Sequence, residues 1–148
     1  MAVSNRLDPF GAFRFRVEID GVQRAGFEEV SGLDSGQAII EYREGDEKTT
    51  RVRKLPGLLR YANLVLKRGV TQDMELWQWR KQVADGEIAQ ARRNGVVILL
   101  DDAGAPVARW VFVNAWPVKY EGPALNATGN EVAIETLELA HEGLERAA

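Results

Sequence analysis

The sequence predicts a mainly β protein, an antiparallel β-barrel or sandwich with one flanking α-helix and an extended charged loop or hairpin arm. Three observations support this fold class. Several short runs alternate apolar and polar residues, as half-buried strands do. Pairs of turn-forming residues separate these runs at short intervals. A single stretch of the chain instead places its apolar residues at helical spacing.

The first predicted strand is FRFRVEI, residues 13–19. Its apolar side chains should share the core face: Phe13, Phe15, Val17 and Ile19. Asp20-Gly21 follows and predicts a hairpin turn, because glycine readily adopts the positive φ that such a turn needs. We therefore expect a second strand from Gln23 to Val30.

A third strand is predicted from Gln37 to Arg43, and it leads into REGDEKTTRVRK, a charged arm over about residues 43–54. This arm is too charged to enter a core and too long for a tight turn. Pro56-Gly57 then predicts a turn. A further strand should end at Lys67-Arg68-Gly69, with Ala62, Leu64 and Leu66 on one face.

The helix is predicted over about residues 72–85, where apolar residues recur every three to four positions. Thr71 or Asp73 would cap its start, and Gly86 would end it. A weak continuation through residues 87–93 is also consistent with the pattern.

The C-terminal half returns to strand patterns. Residues 95–102 form a predicted buried strand, and residues 106–116 pair back onto it. Residues 120–130 are rich in turn formers and predict a loop. The final segment, residues 131–144, fits either a helix or a strand. We interpret it as a strand whose phase slips near Glu135-Thr136, as at a β-bulge.

Length and composition indicate one domain over residues 1–148, since 148 residues with 45% hydrophobic content suffice for a core. The absence of cysteine excludes disulfides, thiolate zinc sites and cysteine nucleophiles. The N-terminus lacks the apolar core of a signal peptide, and no apolar run approaches the ~20 residues of a membrane span. We therefore expect synthesis in the cytoplasm and no membrane anchor.

The residues that usually carry catalysis are sparse. His141 is the single histidine, which argues against a catalytic triad or an imidazole metal site, and we expect it to be structural. Asp101-Asp102 predicts a turn, because adjacent strand residues face opposite ways. The glycine-rich loops that bind nucleotide phosphates are missing. We expect neither enzymatic activity nor a cofactor nor a metal.

Nucleic-acid binding is a weaker alternative. Phe13 and Phe15 lie beside Arg14 and Arg16, a combination found on single-strand platforms. Alternation places the two residue types on opposite faces, so the phenylalanines are more simply core. The net charge of −3 gives no support either. We expect no specific nucleic-acid binding.

Aromatic residues also occur on the predicted helix, where Trp77 and Trp79 point to different sides. One indole should be core and the other partly exposed. An exposed tryptophan indicates a contact surface, since tryptophan is enriched at interface hot spots.

Charge is unevenly distributed along the chain. Residues 43–68 hold eight basic and three acidic residues, whereas residues 129–148 hold five glutamates and one arginine. One interpretation is two separate solvated faces. The other is a pair of complementary patches that meet between copies, because complementary potentials fix orientation.

Several stretches resemble a known family when taken together in order. They are DPFGAFRFRVEIDG, AGFEEVSGL, IIEYREG, RKLPGLLRYANLVLKRGVT, ELWQW and NAWPVKYEGPALNATGNEVAIETLELAHEGL. The chain resembles the tail-tube proteins of contractile phages, and especially the inner-tube subunits of phage-derived contractile injection systems. The resemblance covers about residues 7–144.

This resemblance implies a fold similar to that of type VI secretion tube subunits. It also implies hexameric rings that stack into a hollow tube, with a contractile sheath, baseplate or hub proteins and tube-terminating proteins as partners, and with room for cargo in the lumen. The particle would be a phage tail or a released injection device. The alternative within the same particle is a tube-initiating or baseplate-hub protein that forms a single ring.

In such a tube, the charged arm would cross to a neighbouring subunit and complete its contacts there. The predicted inter-subunit contacts are Glu44, Asp46, Lys48, Arg51, Arg53, Lys54, Leu55, Leu58, Leu59, Glu131, Glu135 and Glu138. Within this set, Arg51, Arg53 and Lys54 would meet carboxylates of another copy, with Glu131, Glu135 and Glu138 as the candidate acceptors. Each exposed ion pair contributes only ~0–1 kcal/mol, so the three leucines would be the main anchors. A solvated, disordered loop is the alternative.

Overall fold

The computed structural model describes residues 8–22 and 26–148. Within these residues the strands are β1 (Phe15–Ile19), β2 (Glu29–Ser31), β3 (Ser35–Tyr42), β4 (Arg53–Tyr61), β5 (Leu64–Gly69), β6 (Arg93–Leu100), β7 (Pro106–Glu121), β8 (Ile134–Ala140) and β9 (Gly143–Arg146). The helices are α1 (Glu75–Ala84) and α2 (Ile88–Ala91). The predicted mainly β fold class is confirmed.

The strands form antiparallel sheets joined by one long strand. Their order is β1-β6-β7-β8-β5-β2, and β9 also pairs with β7. The first part of β7, residues 106–115, pairs with β6, and residues 116–121 pair with β8. β7 thus belongs to two sheets, one with β1, β6 and β9 and the other with β8, β5 and β2. β3 and β4 form a separate two-stranded sheet.

Asn114 marks the point where β7 passes from one sheet to the other. Its φ of 53° lies in the left-handed region, which asparagine tolerates better than most residues. Its backbone N–H donates to Asn94 Oδ1 at 3.0 Å, and its side-chain amide donates to Glu142 Oε2 at 3.1 Å. These two hydrogen bonds hold Asn114 in this backbone conformation.

The core lies between the two sheets and under α1. The buried apolar cluster comprises Val17, Ile19, Val22, Leu64, Leu66, Leu76, Trp79, Ala91, Val97, Phe112, Ala115, Leu137 and Leu139. The Trp79 indole N–H donates to Ala91 O at 2.6 Å, which ties α1 to α2. Trp77 is 44% exposed, so the prediction of one core and one partly exposed indole is confirmed.

The predicted helix limits agree closely with α1. Asp73 Oδ1 accepts the Glu75 backbone N–H at 2.9 Å and thereby caps the first turn. Gly86 has a φ of 88° and ends the helix. Because of this break, residues 88–91 form the separate short helix α2 instead of continuing α1.

Two predictions at the N-terminus need correction. Phe13 is 71% exposed, because β1 begins only at Phe15. The Asp20-Gly21 turn forms, with the Val22 N–H donating to Ile19 O, but among the described residues β2 does not pair back onto β1. β1 pairs with the distant β6, and the next strand is the short β2, which pairs with β5. Residues 23–25 of the predicted second strand lie outside the described residues.

Pro56-Gly57 is not a turn but lies inside β4. Proline is compatible with an edge strand, and β4 has a single partner, with Ile39 opposite Pro56. Gly57 sits at a bulge, where a Cβ atom would approach Ala38 O to 3.0 Å. The strand predicted to end at Gly69 is confirmed as β5.

The final segment is a strand, as predicted, but the predicted bulge at Glu135-Thr136 is wrong. β8 pairs with β5 in unbroken register from Leu64↔Leu139 to Gly69↔Ile134. Glu135 simply occupies an inward position that an apolar residue would normally take. The bulge lies instead on β7, between Pro117 and Lys119.

Candidate assembly surface

β3, β4 and their connection form a projecting hairpin, which we call the hairpin arm (residues 35–61). Among the described residues, β3 and β4 pair only with each other. The predicted charged arm of residues 43–54 is mostly the tip of this hairpin, which we define as residues 43–52. From the tip, β3 continues the arm towards the body over eight residues and β4 over nine. The arm is therefore longer than predicted, because β4 continues it on the side where the sequence predicted a turn at Pro56-Gly57.

The three leucines predicted as anchors all lie on this arm and are exposed. Leu58 is 77% exposed, Leu59 56% and Leu55 44%. Leu64 and Leu66, a few residues further along the chain, are completely buried. An isolated two-stranded hairpin is at best marginally stable in water, so exposed leucines along its length indicate a surface that another molecule covers.

The tip is ordered by its own charges. Arg43 donates to Thr49 O at 3.0 Å and to Glu47 O at 2.9 Å. Arg53 lies 3.2 Å from Glu47 Oε1, and Glu47 is only 18% exposed. These contacts favour a preformed tip over a disordered loop. They also mean that the charge of Arg53, a predicted inter-subunit contact, is already paired within its own chain.

Three of the basic residues predicted as inter-subunit contacts remain available for a partner on another subunit. The side chains of Lys48, Arg51 and Lys54 form no hydrogen bond or ion pair with any residue in the described part of the chain, and all three residues are exposed. Of the predicted acidic contacts on the arm, Glu44 accepts a long hydrogen bond of 3.5 Å from the Tyr42 hydroxyl, whereas Asp46 is simply exposed. Among these predicted contacts the tip therefore carries both signs, with Lys48 and Arg51 beside Glu44 and Asp46, and Lys54 adds a positive charge at the start of β4.

The three predicted acceptors differ in accessibility. Glu131 is exposed in the loop before β8, and Glu138 is half-buried on the outer face of its sheet. Glu135 is 5% exposed and lies 2.7 Å from Arg68 Nε. An acceptor for another subunit must be reachable, so the interpretation of Glu135 as an inter-subunit contact is wrong, and Glu131 and Glu138 remain.

Glu135 instead belongs to a buried network that the sequence analysis missed. Arg68 pairs with Glu135 and lies 3.6 Å from Asp73 Oδ2, just before α1. The Tyr120 hydroxyl donates to Glu135 Oε2 at 2.6 Å. Burial, this hydrogen bond and the charge of Glu135 raise the pKa of Tyr120 to about 12. The network joins β5, β7 and β8 to the start of the helix.

A signal for this network was present in the sequence. Arg68 continues the inward alternation of Leu64 and Leu66, and Glu135 precedes Leu137 and Leu139 in the same phase. Opposite charges at inward positions of two strands predict a buried pair once the strands are known to be neighbours. That neighbour relation is the information that the sequence lacks.

The root of the hairpin arm is fixed by a close backbone contact and by the single histidine. Gly32 has a φ of 91°, and a Cβ atom there would collide with Asn63 O. His141 Nε2 lies 3.0 Å from Ala62 O, and Nδ1 lies 3.1 Å from Gly143 O. The Tyr61 ring also packs against His141, at 5.4 Å between centroids. Each ring nitrogen thus lies within hydrogen-bond distance of a backbone carbonyl, and whichever nitrogen carries the proton can donate to the carbonyl that faces it. This arrangement agrees with a structural role.

Within residues 8–22 and 26–148, no group of three or more His, Asp or Glu side chains could hold a metal ion. None of the helices in the same ranges is long and apolar enough to span a membrane.

Comparisons with known proteins agree with this picture of an assembly subunit. The family model of the T4-like virus tail tube protein gp19 matches residues 11–145. A chain of the PVC sheath–tube complex, from an extracellular contractile injection system in its extended state, is 29% identical with a TM-score of 0.81, over 95% of this chain and 92% of that chain. No curated protein sequence matches the chain.

Two further solved structures extend the comparison. A chain of the anti-feeding prophage baseplate is 28% identical with a TM-score of 0.80, over 95% of this chain and 97% of that chain. Hcp1 from Flavobacterium johnsoniae is 15% identical with a TM-score of 0.56, over 90% of this chain and 94% of that chain, and so shares the fold. The chain belongs to the T4-like virus tail tube protein family.

Proposed function

We propose that this protein is the structural subunit of the inner tube of a contractile injection particle or phage tail. It forms hexameric rings that stack into a hollow tube, with residues 1–148 acting as one domain. The observation that carries this proposal is a fully packed body joined to a hairpin arm whose leucines are exposed. Such an arm is suited to contacts between copies, in which repetition of a modest interface builds a filament.

The relatives support the same partners. Similar chains occur in a sheath–tube complex, a baseplate and a tube-terminating cap. We assign to this chain a surrounding sheath, a baseplate or hub at one end and a terminator at the other. Its work is mechanical, without catalysis, cofactor or metal, and it is made in the cytoplasm before assembly.

Within the tube, Lys48 and Arg51 of the tip and Lys54 at the start of β4 lie against carboxylates of a neighbouring copy. Glu131 and Glu138 are the acceptors that stay accessible in the subunit. Exposed pairs of this kind contribute ~0–1 kcal/mol each, so they set orientation while the arm's apolar residues supply most of the affinity.

Electron microscopy of the purified protein tests the proposal. We expect rings at low concentration and hollow tubes at high concentration, since stacking is an open, concentration-dependent contact. The double variant Lys48→Glu/Arg51→Glu should keep the far-ultraviolet circular dichroism of the wild type but form no long tubes. Neither residue has a partner among the described residues, so their reversal leaves the subunit's own contacts intact.

Lys81→Glu is the matched control. It changes an exposed lysine on α1, far along the chain from the arm and paired only with Asp85. Tubes should form normally in this variant. A protein that stays monomeric at high concentration would contradict the proposed function, and normal tubes from the double variant would remove the basic tip from it.

A second candidate is a tube-initiating or hub subunit of the same particle. The 28% identity to a chain of a baseplate supports it almost as well as the 29% identity to a chain of the sheath–tube complex supports a main-tube subunit. Single rings that never stack would favour this candidate, whereas tubes of unlimited length favour the main tube.

A further inference from the structure

The single histidine lies between two backbone carbonyl groups, and this setting suits one charge state of its ring better than the other. His141 Nε2 lies 3.0 Å from Ala62 O, and Nδ1 lies 3.1 Å from Gly143 O. A carbonyl oxygen can only accept a hydrogen bond, so each contact needs an N–H on the ring. The neutral imidazole has one N–H, whereas the imidazolium has two. Only the protonated ring can therefore donate to both carbonyls at once.

In the neutral ring, one nitrogen lone pair faces the lone pairs of a carbonyl oxygen. A change of tautomer only moves this unmatched contact from Ala62 to Gly143 or back, because a carbonyl faces each nitrogen. Histidine changes its charge between about pH 5 and 8. Both contacts are therefore satisfied on the acidic side of this range, and one of them is lost on the alkaline side.

The other neighbours of the ring are compatible with a positive charge. Tyr61 at the end of β4 is the titratable side chain that packs against His141, with 5.4 Å between ring centroids, and Phe112 of β7 lies at 6.5 Å. Cations are attracted to the π electrons of such rings. Glu142, the next residue in the chain, lies 3.2 Å from Arg92. Burial disfavours a charged ring, but His141 is only partly buried, and both carbonyls contact it directly.

The two contacts lie at the root of the hairpin arm. Ala62 follows β4, where the second strand of the arm enters the body, and Gly143 begins β9. His141 itself lies in the connection between β8 and β9. Gly32, at the other end of the root, approaches the backbone of Asn63 so closely that a Cβ atom there would collide with Asn63 O. The N–H that binds Ala62 O therefore acts at the point from which the arm projects.

We propose that protonation of His141 fastens the root of the hairpin arm, so that the arm is held to the body more firmly in mildly acidic solution than in mildly alkaline solution. The sign follows from the number of donors. Below the titration of the ring both carbonyls are bonded, and as the pH rises through it one hydrogen bond is lost. This property belongs to the single subunit, so it goes beyond the proposed tube function and does not depend on it.

Hydrogen exchange of dispersed subunits at pH 5.5 and pH 8 tests the proposal, with His141→Gln as the matched variant. The chain has a single histidine, so no second imidazole titrates in this range, and glutamine keeps the same N–H donors throughout. Exchange rates are corrected for their intrinsic dependence on pH. The backbone amides of residues 58–66 in the wild type should then open about fivefold more often at pH 8, as expected for the loss of one hydrogen bond.

The variant should show less than about a twofold change over the same pH interval, because its number of donors stays constant. An equal change in both proteins would overturn the proposal, as would no change in the wild type.

A second measurement needs no variant and covers the case in which His141→Gln fails to fold. In protein labelled with nitrogen-15 histidine, the single ring gives one pair of nitrogen signals by nuclear magnetic resonance. At pH 5.5 we expect both ring N–H protons to exchange slowly with water, because a carbonyl oxygen binds each of them. A ring in which either proton exchanges as fast as in free histidine would overturn the proposal.

Discussion

The body and the hairpin arm use the same kinds of residue for different purposes. Leu64 and Leu66 in the body are completely buried, whereas Leu58 and Leu59 in the arm are more than half exposed. Four leucines within nine positions of one chain thus divide into two groups. The first group stabilises the subunit, and the second is left for contacts with other molecules. Apolar content alone therefore does not show whether a segment serves folding or assembly.

The same substitution made in both regions tests whether the body and the arm contribute differently to stability, and we expect the larger effect in the body. Leu66→Ala should lower the free energy of unfolding by about 3–5 kcal/mol, since it leaves a cavity in a packed core. Urea denaturation of dispersed subunits measures the change. A loss below 1 kcal/mol would mean that the core around β5 can collapse onto the gap and is less tightly packed than described.

The next largest effect comes from the buried pair, which also belongs to the body. Arg68→Met should cost roughly 3 kcal/mol, because it leaves Glu135 buried without its cation. The double variant Arg68→Met/Glu135→Leu should recover most of this loss in the same denaturation experiment. No recovery would show that the network acts through contacts other than this ion pair.

The raised pKa of Tyr120 makes the stability of the body depend on pH in the alkaline range. The tyrosine pKa is raised from 10.0 to about 12, so the neutral hydroxyl is favoured in the folded state. Its stabilising contribution is complete below pH 10 and is lost as the pH rises through 12. Tyr120→Phe should lower stability at neutral pH by about 1 kcal/mol and should flatten the alkaline decline.

Absorbance at 295 nm checks this assignment, because the chain has three tyrosines. The wild type should show a tyrosine ionisation step near pH 12, and Tyr120→Phe should lack this step. An unchanged titration curve in the variant would contradict the raised pKa.

The root between body and arm is tested by His141. His141→Phe keeps a ring against Tyr61 but removes the ring N–H that donates to Ala62 O or Gly143 O, and it should cost about 1 kcal/mol. His141→Gln retains an N–H donor and should lose less. Equal losses in the two variants, measured by thermal unfolding, would show that packing of the ring and not the hydrogen bond matters.

The smallest effect on the subunit is expected in the arm. Leu59→Ala should change the free energy of unfolding by no more than about 0.5 kcal/mol, because the side chain is already in water. The same variant should form fewer tubes by electron microscopy. A stability loss as large as that of Leu66→Ala would erase the distinction between the two regions.

Local patterns predicted most of the individual elements. The alternation in residues 13–19, the apolar run at 95–102 and the helical spacing at 72–85 all correspond to observed elements. These features depend on neighbouring residues, whose spacing directly reflects burial. The choice of strand over helix at the C-terminus was also correct.

Pairing between distant strands could not be predicted in the same way. β1 joins β6 across more than seventy residues, and nothing local in Asp20-Gly21 shows that the following segment will leave β1 for β5. The pairing of Arg68 with Glu135 depends on the same long-range register, so Glu135 was interpreted as a surface acceptor. The turn predicted at Pro56-Gly57 was wrong for a related reason. Proline is tolerated in a strand where one edge stays free, and the local sequence does not show whether a strand has a free edge.

The long strand β7 has a mechanical consequence. Because its backbone belongs to both sheets, a load applied to one sheet reaches the other through peptide bonds and does not depend only on packing across the core. Pulling the two layers apart would require unzipping β6 or β8 from β7 along its length. In the proposed tube, each subunit would therefore resist shear as a single stiff unit while thrust passes from ring to ring.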